Sequence, residues 1–279
     1  MNHPKTRVAF ASSLEDPRQN HLLAALPEAE WARWQSHLEP LDMPLGLVLC
    51  EAGSTPAYVY FPTTAIVSLL YVTRDGDSTE FAVVGNDGAV GITLFMGGHA
   101  TPSQAVVQSA GRGYRLRAQV VQASIERAGP LLDVLLRYTQ AVMVQMAQTV
   151  VCNRFHSIDH RLSRRLLLSL DRSPDDELSM THEAAAQLLG VRREGVTQAA
   201  FKLQKAGVIR YHRGCIEVID RPRLERLACE CYAVARKEHE RLLPIPSKLS
   251  NSMAWPPAAL AHGHGAAHRK DSGCLVPAR

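Results

Sequence analysis

Apolar positions change their period along the chain, and each period predicts a different kind of element. Leu22, Leu23, Leu26, Trp31, Trp34 and Leu38 recur at roughly helical spacing and predict a helix over 21–39, with Pro27 suited to a first turn. From about 41 to 120 the pattern shortens to apolar runs cut by turn residues: LVLC before EAGSTP, YVYFP, AIVSLLYV before TRDGDS, EFAVV before GNDG, and AVVQ before SAGRG. Short strands so closely punctuated predict an antiparallel sandwich or barrel.

Gly129-Pro130 opens a stretch without Gly or Pro that runs to Ser157. Within it Leu132, Leu136, Thr139, Met143, Met146, Val150 and Asn153 alternate steps of four and three, the a/d stripe of a two-helix seam. Leu131, Leu135, Tyr138 and Val142 cover an adjacent face, so both sides need burial, one on the β-domain and one on a second chain. At ~1.5 Å per residue such a helix reaches roughly 40 Å, more than one β-domain needs.

Ser157 is the expected N-cap of the next helix, where Ile158, Leu162, Leu166 and Leu170 recur every four residues. SPDDE reads as a polar turn, 181–206 as two helices around Gly190, and 208–218 as a hairpin turning at Arg213-Gly214. Asp220 with Pro222 starts a last helix to about 242, and the Pro-, Ala-, Gly- and His-rich remainder reads as disordered. The expected domains are an arm (1–20), a β-roll (21–129), a dimerisation helix (130–156), a winged helix-turn-helix (157–243) and a tail (244–279).

Functional chemistry concentrates in THEAAAQLLGVRREGVTQAAFKLQKAGVI. A helix-turn-helix needs a small residue where its helices meet, a tight turn, and apolar positions on the second helix. Ala186, Gly190, and Val196 with Ala199 fill those places, and Thr181 can cap the first helix. The second helix offers Arg192, Arg193, Glu194, Thr197, Gln198 and Lys202 on its polar side, while His212 and Arg213 sit at the hairpin tip. Arg can grip guanine with two hydrogen bonds, Glu can accept from cytosine and Gln can read adenine. Double-stranded DNA is the partner these residues suit.

Charge agrees with that placement. Residues 1–157 carry 11 Lys+Arg against 13 Asp+Glu, residues 158–243 carry 16 against 13, and residues 244–279 carry 4 against 1. No apolar run approaches the length of a membrane span, and the N-terminus has no signal-peptide core, which predicts a cytoplasmic protein without a membrane. Six scattered cysteines suit reduced thiols. Cys229 and Cys231, placed on one continuous helix, would point about 200° apart and could not share a metal. Cys152 and His156 can share a face, but read as structural. No metal site and no cofactor are expected.

The whole resembles the Crp/Fnr family of bacterial transcription regulators over about residues 21–243, on the glycine-punctuated β-roll, the long helix and the winged motif. GVRREGVTQAAFKLQKAGVI is similar to that family's recognition-helix signature, with Arg193 and Glu194 at the base-meeting positions. The resemblance implies an α+β fold in three parts: an antiparallel, cyclic-nucleotide-binding-like β-roll, a dimerisation helix and a winged helix-turn-helix. It also implies a homodimer on a pseudo-palindromic operator, acting on RNA polymerase. Two recognition helices on one seam would reach major grooves ~34–36 Å apart.

The departures lie in the pocket. Cyclic-nucleotide-binding members carry a Gly-Glu pair for the ribose and an Arg-Ser/Thr pair for the phosphate. Here DGAVGITLFMGGHATPSQAVVQ places Ile92 after Gly91 and puts Thr101-Pro102 near the arginine position, with Ser103 the survivor. Without arginine a buried phosphate loses its strongest partner, so cyclic nucleotides are disfavoured. The clustered N-terminal cysteines of the oxygen-sensing branch are absent before Cys50. No G-x-S-x-G, H-E-x-x-H or P-loop appears, so no enzyme is expected. The alternative reading is a ligand-binding regulatory module that controls a partner protein.

Overall fold

The computed structural model describes residues 16–244, apart from 95, 99, 128, 174–176 and 213. Arg213, most of the predicted arm and nearly all of the predicted tail lie outside the described residues. The end of the expected arm is structured: Asn20 is buried, caps α1 (His21–Ala24) through the N–H groups of Leu22 and Leu23, and donates to the carbonyls of Pro62 and Gly88. The single helix expected over 21–39 is two, α1 and α2 (Glu28–Trp34), because Pro27 precedes the second as its cap instead of lying in a first turn.

Seven antiparallel strands build the roll. β1 (Glu39–Met43), β7 (Gly111–Arg117) and β3 (Tyr58–Pro62) form one sheet in the order β1-β7-β3. β2 (Val48–Cys50), β6 (Gln104–Ser109), β4 (Ile66–Val72) and β5 (Ser78–Val84) form the other, in the order β2-β6-β4-β5. Residues of both sheets share one core around Trp34, Met43, Val59, Phe61, Val67 and Leu116. Gly111 and Gly113 of β7 admit no side chain, since a Cβ there would stand 2.5 Å from the backbone at Ala65 and Phe61.

After α3 (Ala118–Glu126), which the apolar pattern did not announce, α4 runs from Pro130 to Phe155. Leu131, Leu135, Tyr138 and Val142 pack into the roll, as the second stripe predicted, and Val134 joins them. On the other side Leu136, Met143 and Val150, seven apart, stay 50%, 59% and 70% exposed, with Leu132 and Met146 partly buried. Thr139 departs from that stripe: it is buried within the chain, and its hydroxyl donates to the Leu135 carbonyl.

A second core is formed by α5 (Ile158–Leu170), β8 (Glu177–Ser179), α6 (His182–Leu189), α7 (Arg193–Lys205), β9 (Ile209–His212), β10 (Cys215–Val218) and α8 (Arg221–Leu227), and it takes in Ile66 of β4 and Val83 of β5 from the roll. The three strands pair antiparallel in the order β8-β10-β9. Ser157 caps α5 as expected. The predicted last helix is broken. α8 ends at Leu227, Ala228 and Cys229 are extended, and α9 (Glu230–Leu242) turns back to pack along α4, with Leu242 and Leu243 in the core of the roll. No described helix is long and apolar enough to cross a membrane.

Candidate nucleic-acid interface

Short-range chemistry sets the two helices of the motif. Thr181 accepts from the Ala184 N–H at 3.0 Å and caps α6. Gly190 ends α6 in the left-handed conformation (φ 60°), and Val191 N–H closes the turn on the Ala186 carbonyl at 3.0 Å. Ala186, Val196 and Ala199 are buried where the helices cross, as the spacing predicted. Gly195 lets α5 approach: a Cβ there would meet Ile158 Cδ1 at 2.7 Å.

With that side buried, α7 must turn its polar side outward. Arg192, Arg193, Glu194, Thr197, Gln198 and Lys202 are all exposed. Arg192 precedes the helix and its side chain does not cap it, so the start of α7 lacks a side-chain cap, a setting that suits phosphate. Arg193 is held only loosely, 3.9 Å from Glu183.

Two predicted contacts are already engaged. Lys202 Nζ lies 2.7 Å from Asp159 Oδ2 on α5. Thr197 donates its hydroxyl proton to the Arg193 carbonyl at 3.0 Å, and His182 Nδ1 stands 3.1 Å from Thr197 Oγ1. His182 also stacks on Tyr211 of β9 with ring centroids 4.1 Å apart, tying α6, α7 and the wing together. Burial and the charge of Arg193 push the His182 pKa down, which favours the neutral ring. Sequence reasoning missed this bridge, which joins residues from three elements. It also passed over Phe201, which is 65% exposed among these polar residues; its apolar side chain out of phase with the buried Ala200 and Leu203 was the available signal. On the wing His212 stands 3.6 Å from Glu177 of β8, and Arg210 pairs with Glu217 at 2.7 Å.

The four pocket residues lie in the connection between β5 and β6. Gly91 takes φ 108° beside the Tyr60–Val90 bridge, and Ile92 opens a 3-10 turn packed on the core. Thr101 is buried, with its hydroxyl 2.8 Å from that of Ser103, so these two satisfy each other. A cleft of about 380 Å³ opens among Thr55, Tyr58, Leu94, Arg117, Gln119 and Gln122, and none of the four lines it.

The decisive comparison covers the C-terminal unit. Residues 160–227 match the family model of the Crp-like helix-turn-helix domain. Around it, solved structures share the fold over nearly their whole length. FixK2 from Bradyrhizobium japonicum has a TM-score of 0.59 at 15% identity, over 69% of this chain and 98% of that one. A Crp/Fnr-family transcriptional regulator from Thermus thermophilus has 0.55 at 22%, over 68% and 98%. The c-di-GMP-responsive global regulator CLP of Xanthomonas campestris has 0.55 at 16%, over 69% and 99%. At these identities the likeness is one of fold: the β-roll, long helix and Crp-like domain follow each other in the same order. No curated protein matches in sequence.

One expectation about the thiols is corrected. Cys229 is not inside a helix but is the extended N-cap of α9 (φ −78°, ψ 163°), so it does not project opposite Cys231 as two residues of one helix would.

Proposed function

We propose that this protein is a sequence-specific transcription regulator of the Crp/Fnr type, acting as a cytoplasmic homodimer on a pseudo-palindromic operator and altering the work of RNA polymerase. The observation that carries this reading is the exposed Arg192–Lys205 side of α7 over a buried crossing, in a Crp-like domain. The exposed heptad row Leu136, Met143 and Val150 supports pairing of two long helices. Arg193, Glu194 and Gln198 are the base readers, with Phe201 placed to meet a thymine methyl. Arg192, Lys202, His212 and Arg213 serve the phosphates. Thr181 and Thr197 hold the helices in place.

The β-roll, in this reading, has lost cyclic-nucleotide binding. Ile92 is packed on the core, and Thr101 and Ser103 bind each other, so neither ribose nor phosphate finds the partners it needs.

Selection of operators from random duplexes, followed by gel-shift titration, tests the reading. Wild-type protein should select a two-fold sequence, and Arg193→Ala should lose ~1–3 kcal/mol of discrimination at one or two base pairs per half-site. Binding indifferent to sequence, or a monomer in sedimentation at the same concentration, would refute it.

A further inference from the structure

Four side chains with metal-ligating chemistry meet where α4 ends and α9 begins. Cys152 lies in the last turn of α4 and His156 caps it, while Cys229 caps α9 and Cys231 lies in its first turn. The three sulfurs and the ring nitrogen all lie within 4.8 Å of one another. Cys152 Sγ is 3.5 Å from Cys229 Sγ, and Cys231 Sγ is 3.6 Å from His156 Nδ1. A tetrahedral ion with metal–sulfur bonds of about 2.3 Å and a metal–nitrogen bond of about 2.0–2.1 Å sets edges of about 3.8 Å and 3.5 Å. The observed spacings fall close to both.

Two surrounding groups suit a ligated ion. His156 Nε2 stands 3.3 Å from Glu230 Oε1, so the ring can turn Nδ1 to the sulfurs while a carboxylate holds its other N–H, the usual support of a ligating histidine. Arg164 of α5 is buried, donates to Thr149 Oγ1, and has no carboxylate partner among the described residues. A buried cation needs an anion, and three thiolates around a divalent ion carry one net negative charge. The thiols form a buried cluster separate from both hydrophobic cores, so they do not serve as filler there.

The hydrogen bond with Cys229 and burial push the Cys152 thiol up, against the charge of Arg164. Burial pushes Cys231 up to about 11, while the hydrogen bond from Cys152 draws Cys229 down.

We infer that Cys152, His156, Cys229 and Cys231 are a mononuclear Cys3His site for a divalent ion of the zinc class. Binding forms three sulfur–metal bonds and one nitrogen–metal bond and releases the thiol protons to solvent, with no change of oxidation state. The ion would fasten α4 to α9 at the point where α5 leaves for the DNA-facing helices, fixing how the Crp-like domain is hung on the long helix.

Full-length protein purified under reducing conditions and assayed by elemental mass spectrometry should hold about one zinc per chain through dialysis. Replacement with cobalt should give a thiolate-to-cobalt charge-transfer band and the strong visible bands of tetrahedral cobalt. Imidazoles such as His262, His264 and His268 would give no thiolate band. Replacing both Cys229 and Cys231 by Ser should abolish the band, and Glu230→Gln should weaken metal affinity ~10-fold or more while keeping it. Folded wild-type protein that takes zinc or cobalt at no thiol, a band unchanged in the double variant, or a Cys152–Cys229 disulfide formed in preference to metal binding would overturn the assignment. Should the double variant not fold, the zinc content and cobalt spectrum of the wild type decide alone.

Discussion

Besides the apolar packing of Ile66 and Val83 against it, the Crp-like domain has two polar attachments to the rest of the chain, and the two use opposite chemistry. Toward the roll, Glu80 of β5 meets Arg165 of α5 at 2.8 Å, both buried, and Ser68 donates to the same carboxylate. Beside them Arg172 grips Asp87 of the GNDG turn with two contacts, at 3.1 Å and 2.5 Å. Toward α4 the fastening is three thiols and an imidazole. The first closes with charges that the chain itself supplies in matched pairs. The second, read as a metal site, answers to metal supply and thiol chemistry.

Breaking the charged attachment should have the largest effect. Glu80→Gln leaves Arg165 buried without its carboxylate, for which about 3–5 kcal/mol of stability is expected to be lost in urea unfolding. Replacing Glu80 and Arg165 together by Leu and Met should return most of that loss, since apolar groups of similar volume often replace a buried pair without penalty. A Glu80→Gln variant within 1 kcal/mol of wild type would place the attachment elsewhere.

Acid should separate the second pair. Burial pushes the Asp87 carboxyl up, but the charges of Arg172 and His239 and the Gly85 N–H more than offset it, so its pKa lies below the usual value. A carboxyl depressed in the folded state contributes stability above its unfolded pKa of ~3.9 and loses that contribution as pH falls through the folded value. Asp87→Asn should therefore cost roughly 2–3 kcal/mol near neutrality, with the gap to wild type closing below about pH 4. A gap that stays constant with pH would mean that the carboxylate charge contributes nothing there.

Neither attachment was legible in the sequence, although the elements they join were. The long helix, the cap at Ser157 and the turn at Gly190 are local signals of period, cap and backbone freedom, and the structure follows them. Nothing near Glu80 or Arg165 in sequence marks their burial. The break between Ala228 and Cys229 carries neither Gly nor Pro, so the apolar period ran through it and hid the turn that brings Cys229 toward Cys152, 77 residues away. β7 escaped for a related reason: GRGYRLR alternates arginines with its inward residues and looks polar.

The smallest expected effect tests whether position, and not charge alone, gives the buried pairs their weight. Lys202 and Asp159 also join two elements of the domain, at 2.7 Å, but in solvent. Exposed pairs contribute ~0.2–1 kcal/mol, because water solvates both charges well when they are apart. Lys202→Ala should accordingly leave the urea midpoint almost unchanged. It should still weaken binding to every DNA sequence by a similar factor and lower the salt slope by about 1, as loss of one phosphate contact requires. In the free protein Asp159 competes with phosphate for Lys202, so Asp159→Asn should move DNA affinity the opposite way. Matching stability losses for Lys202→Ala and Glu80→Gln would show that burial does not distinguish them, and the contrast between the two kinds of attachment would fail.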